Sequence, residues 1–532
     1  MAQKSKKGRF KRDLSTLDLT FLGIGSIIGS GWLYAAATGA QYAGGYAWIS
    51  WLLGAVIIIL IGLVYSELGA AMPVAGGFVR YPDFTHGSLV GFLIGFISML
   101  AYSAVVSIEA QAVRGYLEYW FGGLGYKDGT PTFWGFVVQI SLILLFFLLN
   151  YWSVNFFGKL NSFLTIFKFV VPVIIISVLL MHFNAANFHV NGAKPGGIKG
   201  IFAAVTGAGI VFAFNGFRQP IEFAGEAKKP ERGIPFAIIL SVLIGLLIYL
   251  LLQLAFLGAV PPDMLQDGGW SSLHFESPWA DLASAIGLVW LANLVLIDAV
   301  ISPSATGNIY FSATARSLFA WAKNGYFFKV FQKIDPRTGL PRSALWLTLF
   351  LSILWMMPAR FQAWKDLVDA STSAKALTFV VGPVSLMALR HKMPDMKRPF
   401  FLKAANFLAP LAFVAATLVV YWSKWKVISF LMPIIILSLV LYFIFTYKEK
   451  EFTKDMIKLH LKSGSWVIFY YIYLMLMSYI GSYGPLDHFI FTAPTDTIVT
   501  AVGSLIFYYW GVHAALDEPR VEVADSEEAT KV

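Results

Sequence analysis

Lys168 sits in NSFLTIFKFVVPVII, Arg218 and Glu222 in FAFNGFRQPIEF, and Glu109 in AYSAVVSIEAQAV, stretches otherwise apolar enough for lipid. An ionisable side chain at bilayer depth costs ~2.5–3.5 kcal/mol on insertion scales and is a candidate for function. A guanidinium stays charged and matches a carboxylate in two hydrogen bonds, so Arg218 suits a carboxylate-bearing solute. Glu222, one turn later on the same face, is the competing partner, and a solute that displaced it would work a switch. The Lys168 ammonium loses hydration among apolar neighbours, which suits a group that takes up and releases a proton. The bland alternative is a lysine snorkelling to an interface; roughly eleven residues separate it from its segment's start near 157, nearer the middle than snorkelling needs. Glu109 is a candidate proton relay and Asp298 a weaker one. Arg114 is expected to pair with Glu118 at helical spacing. Glu67 and Glu226 lie beside basic loops and read as gate or loop ion pairs. The eight histidines fall mainly in loops or near segment ends, with no metal-ligand spacing, so neither metal nor cofactor is expected.

The elements that position these groups follow from composition. Of 532 residues 58% are hydrophobic and 13% charged, against about 25% charged in soluble domains. The chain reads as all-α and polytopic. About fourteen apolar segments reach spanning length: roughly 17–40, 46–72, 88–121, 132–150, 157–183, 200–227, 233–258, 278–320, 343–358, 364–389, 403–423, 427–446, 464–481 and 493–516. The net charge of +10 follows the loops rather than forming a nucleic-acid patch. Lys4, Lys6, Lys7, Arg9, Lys11 and Arg12 share one set of loops with Arg80, Lys228, Lys229, Arg232 and the lysines of 448–462. By the positive-inside rule that set is cytoplasmic, and an even span count puts both termini there. No apolar stretch with a small-residue cleavage site opens the chain, so the first span is expected to stay as a signal anchor. Cysteine is absent, which removes disulfides and thiolate chemistry. The tail from 517 is polar and reads as disordered.

Two spans look interrupted. FLGIGSIIGSGWLY, residues 21–34, carries Gly23, Gly25, Ser26, Gly29, Ser30 and Gly31 in its middle, poor material for a continuous helix. In the sixth span Asn215-Gly216 signals a break, and Pro220 suits the first turn of a new half-helix. Five spans, an odd number, separate the two, so the second copy would be inverted; paired interruptions of this kind point to a secondary transporter's binding site. Freed N–H groups and the following dipole end would receive a carboxylate, and freed carbonyls an ammonium. Glycines that merely allow close helix packing are the alternative.

GSIIGSGWL, ELGAAMPVAGGFVRYP, FAFNGFRQPIEFAGEAKKPERGIP, and ARSLFAWAKNGYFFKVF followed by GLPRSALW together resemble the amino acid–polyamine–organocation superfamily over about residues 15–390. Within it the chain is most similar to the bacterial aspartate–proton symporter branch. The resemblance implies a five-plus-five inverted-repeat core with discontinuous spans 1 and 6: a basic N-terminus at 1–16, the core at 17–389 (repeats 17–183 and 200–389), four further spans at 390–516 and a tail at 517–532. It implies that a substrate carboxylate meets the backbone at Gly29, Ser30 and Gly31, that the α-amine meets carbonyls near Ile27 and Phe214, and that Phe214 or Phe217, flanking Gly216, helps close the site. It assigns Lys168 the place that sodium takes in sodium-coupled relatives. Their two eighth-span hydroxyls match Ser304 and Ala305 here, so one is missing. Where many relatives place a glutamate beside the third-span tyrosine, this chain has Ala101 before Tyr102.

The expected function is proton-coupled import of an amino acid, acidic if Arg218 binds a second carboxylate. A neutral or broad-specificity permease or an exchanger is the alternative. The expected partners are the amino acid, protons and the plasma-membrane bilayer, with no nucleic acid. A membrane enzyme would need a nucleophile with its base or a metal cluster, and an ATP-driven pump a GxxxxGK[ST] loop. Neither pattern occurs. A channel would favour pore loops or charge rings, and a transport-inactive sensor is the remaining alternative.

Overall fold

The computed structural model describes residues 10, 12–126, 128–152, 154–190, 195–266, 268–275, 277–357, 364–448, 453–486 and 490–521. Most of the basic N-terminus, Lys127 and the end of the tail lie outside them. The described residues are helical, with two isolated β-bridges and no longer strand. Among them nine helices are long and apolar enough to cross a membrane, ten if a bent pair counts as one span. Four more apolar helices are shorter: Thr16–Ile27, Phe167–Leu180, Arg342–Leu354 and Ala405–Tyr421. Lipid competes for no backbone hydrogen bond, so each crossing segment satisfies its own by forming a helix.

Helix α1 (Thr16–Ile27) opens with a capping box in which the Ser15 side chain and Asp18 exchange bonds. Its ladder ends where the Gly29 N–H turns back to Ile27 O, and α2 (Gly31–Ala43) starts afresh from Ser30, which caps it with no side-chain bond. A short 3₁₀ turn leads into α3 (Ala47–Ala71), and α4 (Gly77–His86) into the 34-residue α5 (Ser88–Phe121). Then come α6 (Phe133–Trp152) and α7 (Val154–Leu180).

The sixth segment is more fragmented than the sequence suggests. It runs as α8 (Gly197–Gly207), α9 (Ile210–Phe214), a 3₁₀ turn over Asn215–Arg218 and α10 (Gln219–Glu222). Its bend of 41° falls at Ala208-Gly209, six residues before the expected Asn215-Gly216. The reason is local: Gly209 takes φ +79°, which only glycine adopts freely, whereas Asn215 stays right-handed at φ −61° and the chain there merely tightens. Pro220 stands in the first turn of α10. The expected eighth span, 278–320, is also split, into α12 (Pro278–Ala285) and α13 (Val289–Lys323), by a turn at Gly287 with φ +80°. Between these fragments runs α11 (Pro230–Ala259). After α13 come α14 (Arg342–Leu354), α15 (Trp364–Phe379), α16 (Val381–Lys392), α17 (Ala405–Tyr421), α18 (Lys424–Lys448), α19 (Lys454–Ile480) and α20 (Thr495–Ala514).

The two interruptions touch backbone to backbone. A Cβ on Gly216 would stand 2.4 Å from the Ile27 nitrogen and 2.5 Å from the Gly23 oxygen; one on Gly31 would stand 3.1 Å from the Ala213 Cα. No rotamer relieves a clash with main chain. Gly216→Ala is therefore expected to destabilise the fold by about 1–3 kcal/mol, read as a lower Tm in detergent. An unchanged Tm would show that the two interruptions do not bear on each other.

Candidate functional site

The break in α1–α2 is enclosed by side chains from five other helices. On its amide side the Ser30 N–H donates to Glu109 Oε2 of α5 at 2.9 Å, and the Trp364 indole of α15 donates to Ser30 Oγ at 3.0 Å. On its carbonyl side Lys168 Nζ of α7 donates to Gly25 O and to Thr306 Oγ1 of α13, each at 2.6 Å. The Thr306 hydroxyl lies 3.0 Å from Gly25 O and 3.2 Å from Ile28 O, and the Tyr249 hydroxyl of α11 donates to Ile27 O at 2.5 Å. The break is thus held by an ammonium on its carbonyls and a carboxylate on its amide, the charges its exposed dipoles favour. Gly29 fits because a Cβ there would meet Thr306 at 2.8 Å and Glu109 Oε1 at 3.0 Å.

The hydroxyl beside Lys168 is Thr306, not Ser304. Ser304 bonds back to Val300 O of its own helix, and Ala305 has no polar group. Asp298, one helical stretch earlier, is buried and accepts from Ser302 at 3.2 Å.

Arg218 and Glu222 are both fully buried and lie 3.6 Å apart. Arg218 Nη1 also donates to Thr378 Oγ1 at 2.9 Å, and the Tyr102 hydroxyl donates to Glu222 Oε1 at 2.8 Å. The guanidinium lies over the rings of Phe78, Tyr102 and Phe379 at 3.8, 4.5 and 5.3 Å. In this conformation the arginine has a partner carboxylate and an aromatic cage. Phe217 belongs to that cage, 5.5 Å from Phe379. Phe214 packs instead on Trp51 and Tyr249.

The end of the bundle near the N-terminal segment is closed by charge pairs. Arg316 grips Glu226 in two bonds of 2.5 and 2.9 Å, both residues buried. Leu14 pairs with this loop, its N–H on Glu226 O and its carbonyl under the Lys228 N–H. Glu67 receives Arg390 at 3.0 and 2.6 Å and the Leu402 N–H. The opposite end holds a cavity of about 580 Å³ lined by Tyr34, Gln111, Arg114, Glu118, Asp281 and Trp364 among others. There Arg114 donates to Gly129 O, while Glu118 accepts from the Gly123 and Leu124 amides. These contacts replace the expected Arg114–Glu118 pair, because the loop after α5 offers both groups nearer main-chain partners. The cavity ends at Tyr34 and Trp364, whose rings lie 4.6 Å apart, and Trp364 reaches Ser30 beneath.

The amino acid permease family matches residues 14–424. This chain belongs to that family. The permease is 43% identical over 523 residues to the aspartate-proton symporter of Bacillus subtilis (strain 168), covering 97% of this chain and 99% of that one. It is 40% identical over 516 residues to the same organism's glutamate/serine transporter AimA, covering 94% and 93%. Its branched-chain amino acid permease BcaP is 27% identical over 463 residues, covering 85% and 96%. The superfamily resemblance read from four motifs therefore holds across the whole chain, and the permease is a multi-pass membrane protein of a transporter family.

Sequence reasoning missed Thr306, Tyr249, Trp364 and Lys375. Lys375 was legible: it interrupts the apolar segment 364–389 as Lys168 interrupts 157–183. The other three are residues common in such helices, and only packing against the break singles them out.

Proposed function

We propose that this permease imports an acidic amino acid, aspartate or glutamate, together with protons by alternating access across the plasma membrane. The observation that carries the proposal is the first-span break itself, where Glu109 holds the Ser30 amide and Lys168 holds the Gly25 carbonyl. Glu109 occupies the place a substrate carboxylate would take. A proton on Glu109 weakens that hold and frees Ser30, Gly31 and the α2 dipole for the substrate, so proton and substrate load together. Lys168 and Thr306 form the second coupling element, an ammonium that joins the broken span to α13 while protonated. Glu222 is the third coupling element, exchanged against Arg218. The Glu226–Arg316 and Glu67–Arg390 pairs act as the cytoplasmic gate and part when the core rocks inward.

The topology proposed is fourteen spans with both termini cytoplasmic. It counts α1 with α2 as the first crossing, α3 as the second, and the bent α8–α10 segment as the sixth. Residues 17–389 form a five-plus-five inverted-repeat core and 390–516 the four additional spans. The symporter and the glutamate/serine transporter, both above 40% or at 40% identity, support an acidic substrate. The second of these also favours a broader reading, in which small neutral amino acids enter too.

Labelled aspartate uptake into proteoliposomes tests the proposal. An imposed pH gradient, alkaline inside, is expected to drive accumulation, and a sodium gradient at uniform pH is not. Accumulation driven by sodium, or uptake confined to neutral amino acids, would overturn it.

A further inference from the structure

The Lys375 side chain is fully buried in α15, and among the described residues its Nζ has no hydrogen-bond partner. No carboxylate stands within 4 Å of it among them either. Its neighbours are two aromatic faces, Phe212 of α9 at 5.0 Å and Tyr310 of α13 at 4.9 Å. The charges that bear on it are Arg218, which repels it, and Glu109, which attracts it but is already turned to Ser30. Ring faces attract a cation weakly compared with a carboxylate, so a buried ammonium served only by rings is left short of an anion.

Its place along α15 says which anion. Trp364, Ser371, Lys375 and Thr378 recur at helical spacing on one face. Trp364 bonds Ser30 at the first-span break, Ser371 bonds Ala101 O of α5, and Thr378 bonds Arg218 of the sixth segment. Lys375 is the member of this face whose polar group contacts nothing polar. The Phe212 ring lies against both the Trp364 indole, at 6.3 Å, and the Lys375 ammonium. Phe212 therefore links the ammonium to Trp364, which lines the cavity and bonds the break.

We propose that Lys375 is the specificity residue that receives the side-chain carboxylate of the substrate, while the main-chain groups of the same molecule sit at the Ser30 break. This rests on the acidic-substrate reading and locates its second carboxylate on α15 rather than at Arg218, whose charge is already matched by Glu222. The complement is electrostatic: an anionic side chain supplies the partner that the Lys375 ammonium lacks, whereas a neutral side chain leaves it unmet.

The full-length protein in proteoliposomes provides the test, with aspartate and its neutral isostere asparagine as paired substrates. In Lys375→Gln and Lys375→Met the ratio of kcat/KM for aspartate over asparagine is expected to fall on the order of tenfold or more. Lys375→Met is also expected to keep or raise Tm without substrate, because it removes an unpaired buried charge. A ratio unchanged in both variants, with aspartate preferred by the wild type, would overturn the assignment of Lys375 alone. Variants that do not fold would also overturn it, by showing that the ammonium holds the structure. A wild type that takes asparagine as readily as aspartate would overturn the acidic reading and this assignment together.

Discussion

Lys168→Ala is expected to accumulate no substrate in response to a pH gradient while still exchanging internal for external substrate. For one coupled proton, each unit of imposed pH difference is worth about 1.4 kcal/mol, or roughly a tenfold accumulation at equilibrium. The variant should bring that ratio to one. The physical reason lies in the two 2.6 Å bonds from Lys168 to Gly25 O and Thr306 Oγ1, which tie the broken span to α13. Without them the break keeps the Thr306 hydroxyl on Gly25 O, so the site can still form. What is lost is the group that makes its closure depend on a proton. Net uptake and counterflow measured on the same vesicles separate the two. Gradient-driven accumulation at the wild-type ratio would remove Lys168 from the coupling path.

Arg218→Ala carries the largest expected cost in stability. It strands the fully buried Glu222 carboxylate and leaves the Phe78, Tyr102 and Phe379 rings without the group they enclose. Removing one partner of a buried pair costs about 3–5 kcal/mol, mostly for the charge left behind. The expected result is a sharply lower Tm and an equal loss of every substrate. The double change Arg218→Met with Glu222→Gln should recover much of that stability, since no uncompensated charge remains. A single variant that folds normally and loses only dicarboxylates would assign Arg218 to the substrate instead and would weaken the case for Lys375.

The two experiments also separate roles that share one piece of chemistry. Lys168, Arg218 and Lys375 are three of the cations buried among the described residues. They differ in what they touch: main-chain oxygen and a hydroxyl, a carboxylate with a hydroxyl, and aromatic faces alone. Only in the third case, among the described residues, is the cation left without any polar partner.

What the sequence by itself determined follows from local rules. A hydrophobic stretch in lipid has to be a helix, so the all-helical class and most segment positions were legible. Glycine clusters and the intramembrane charges marked where the helices would be interrupted and where chemistry could sit. Four motifs sufficed for the superfamily. What only the tertiary structure decided concerns partners. The bend at Gly209 rather than at Asn215-Gly216 depends on which residue takes a left-handed conformation, and both sites carry a glycine. Ser304 and Thr306 are both eighth-span hydroxyls, and only the rotation of α13 against the first-span break presents Thr306. Arg218 admitted a substrate carboxylate or Glu222, and Lys375 was legible as a charge inside an apolar segment, but only the packing of α9, α13 and α15 showed that its ammonium meets aromatic faces and no polar partner among the described residues. Spacing along one helix fixes a face; the orientation of that face toward another helix is set by how all the side chains between them pack.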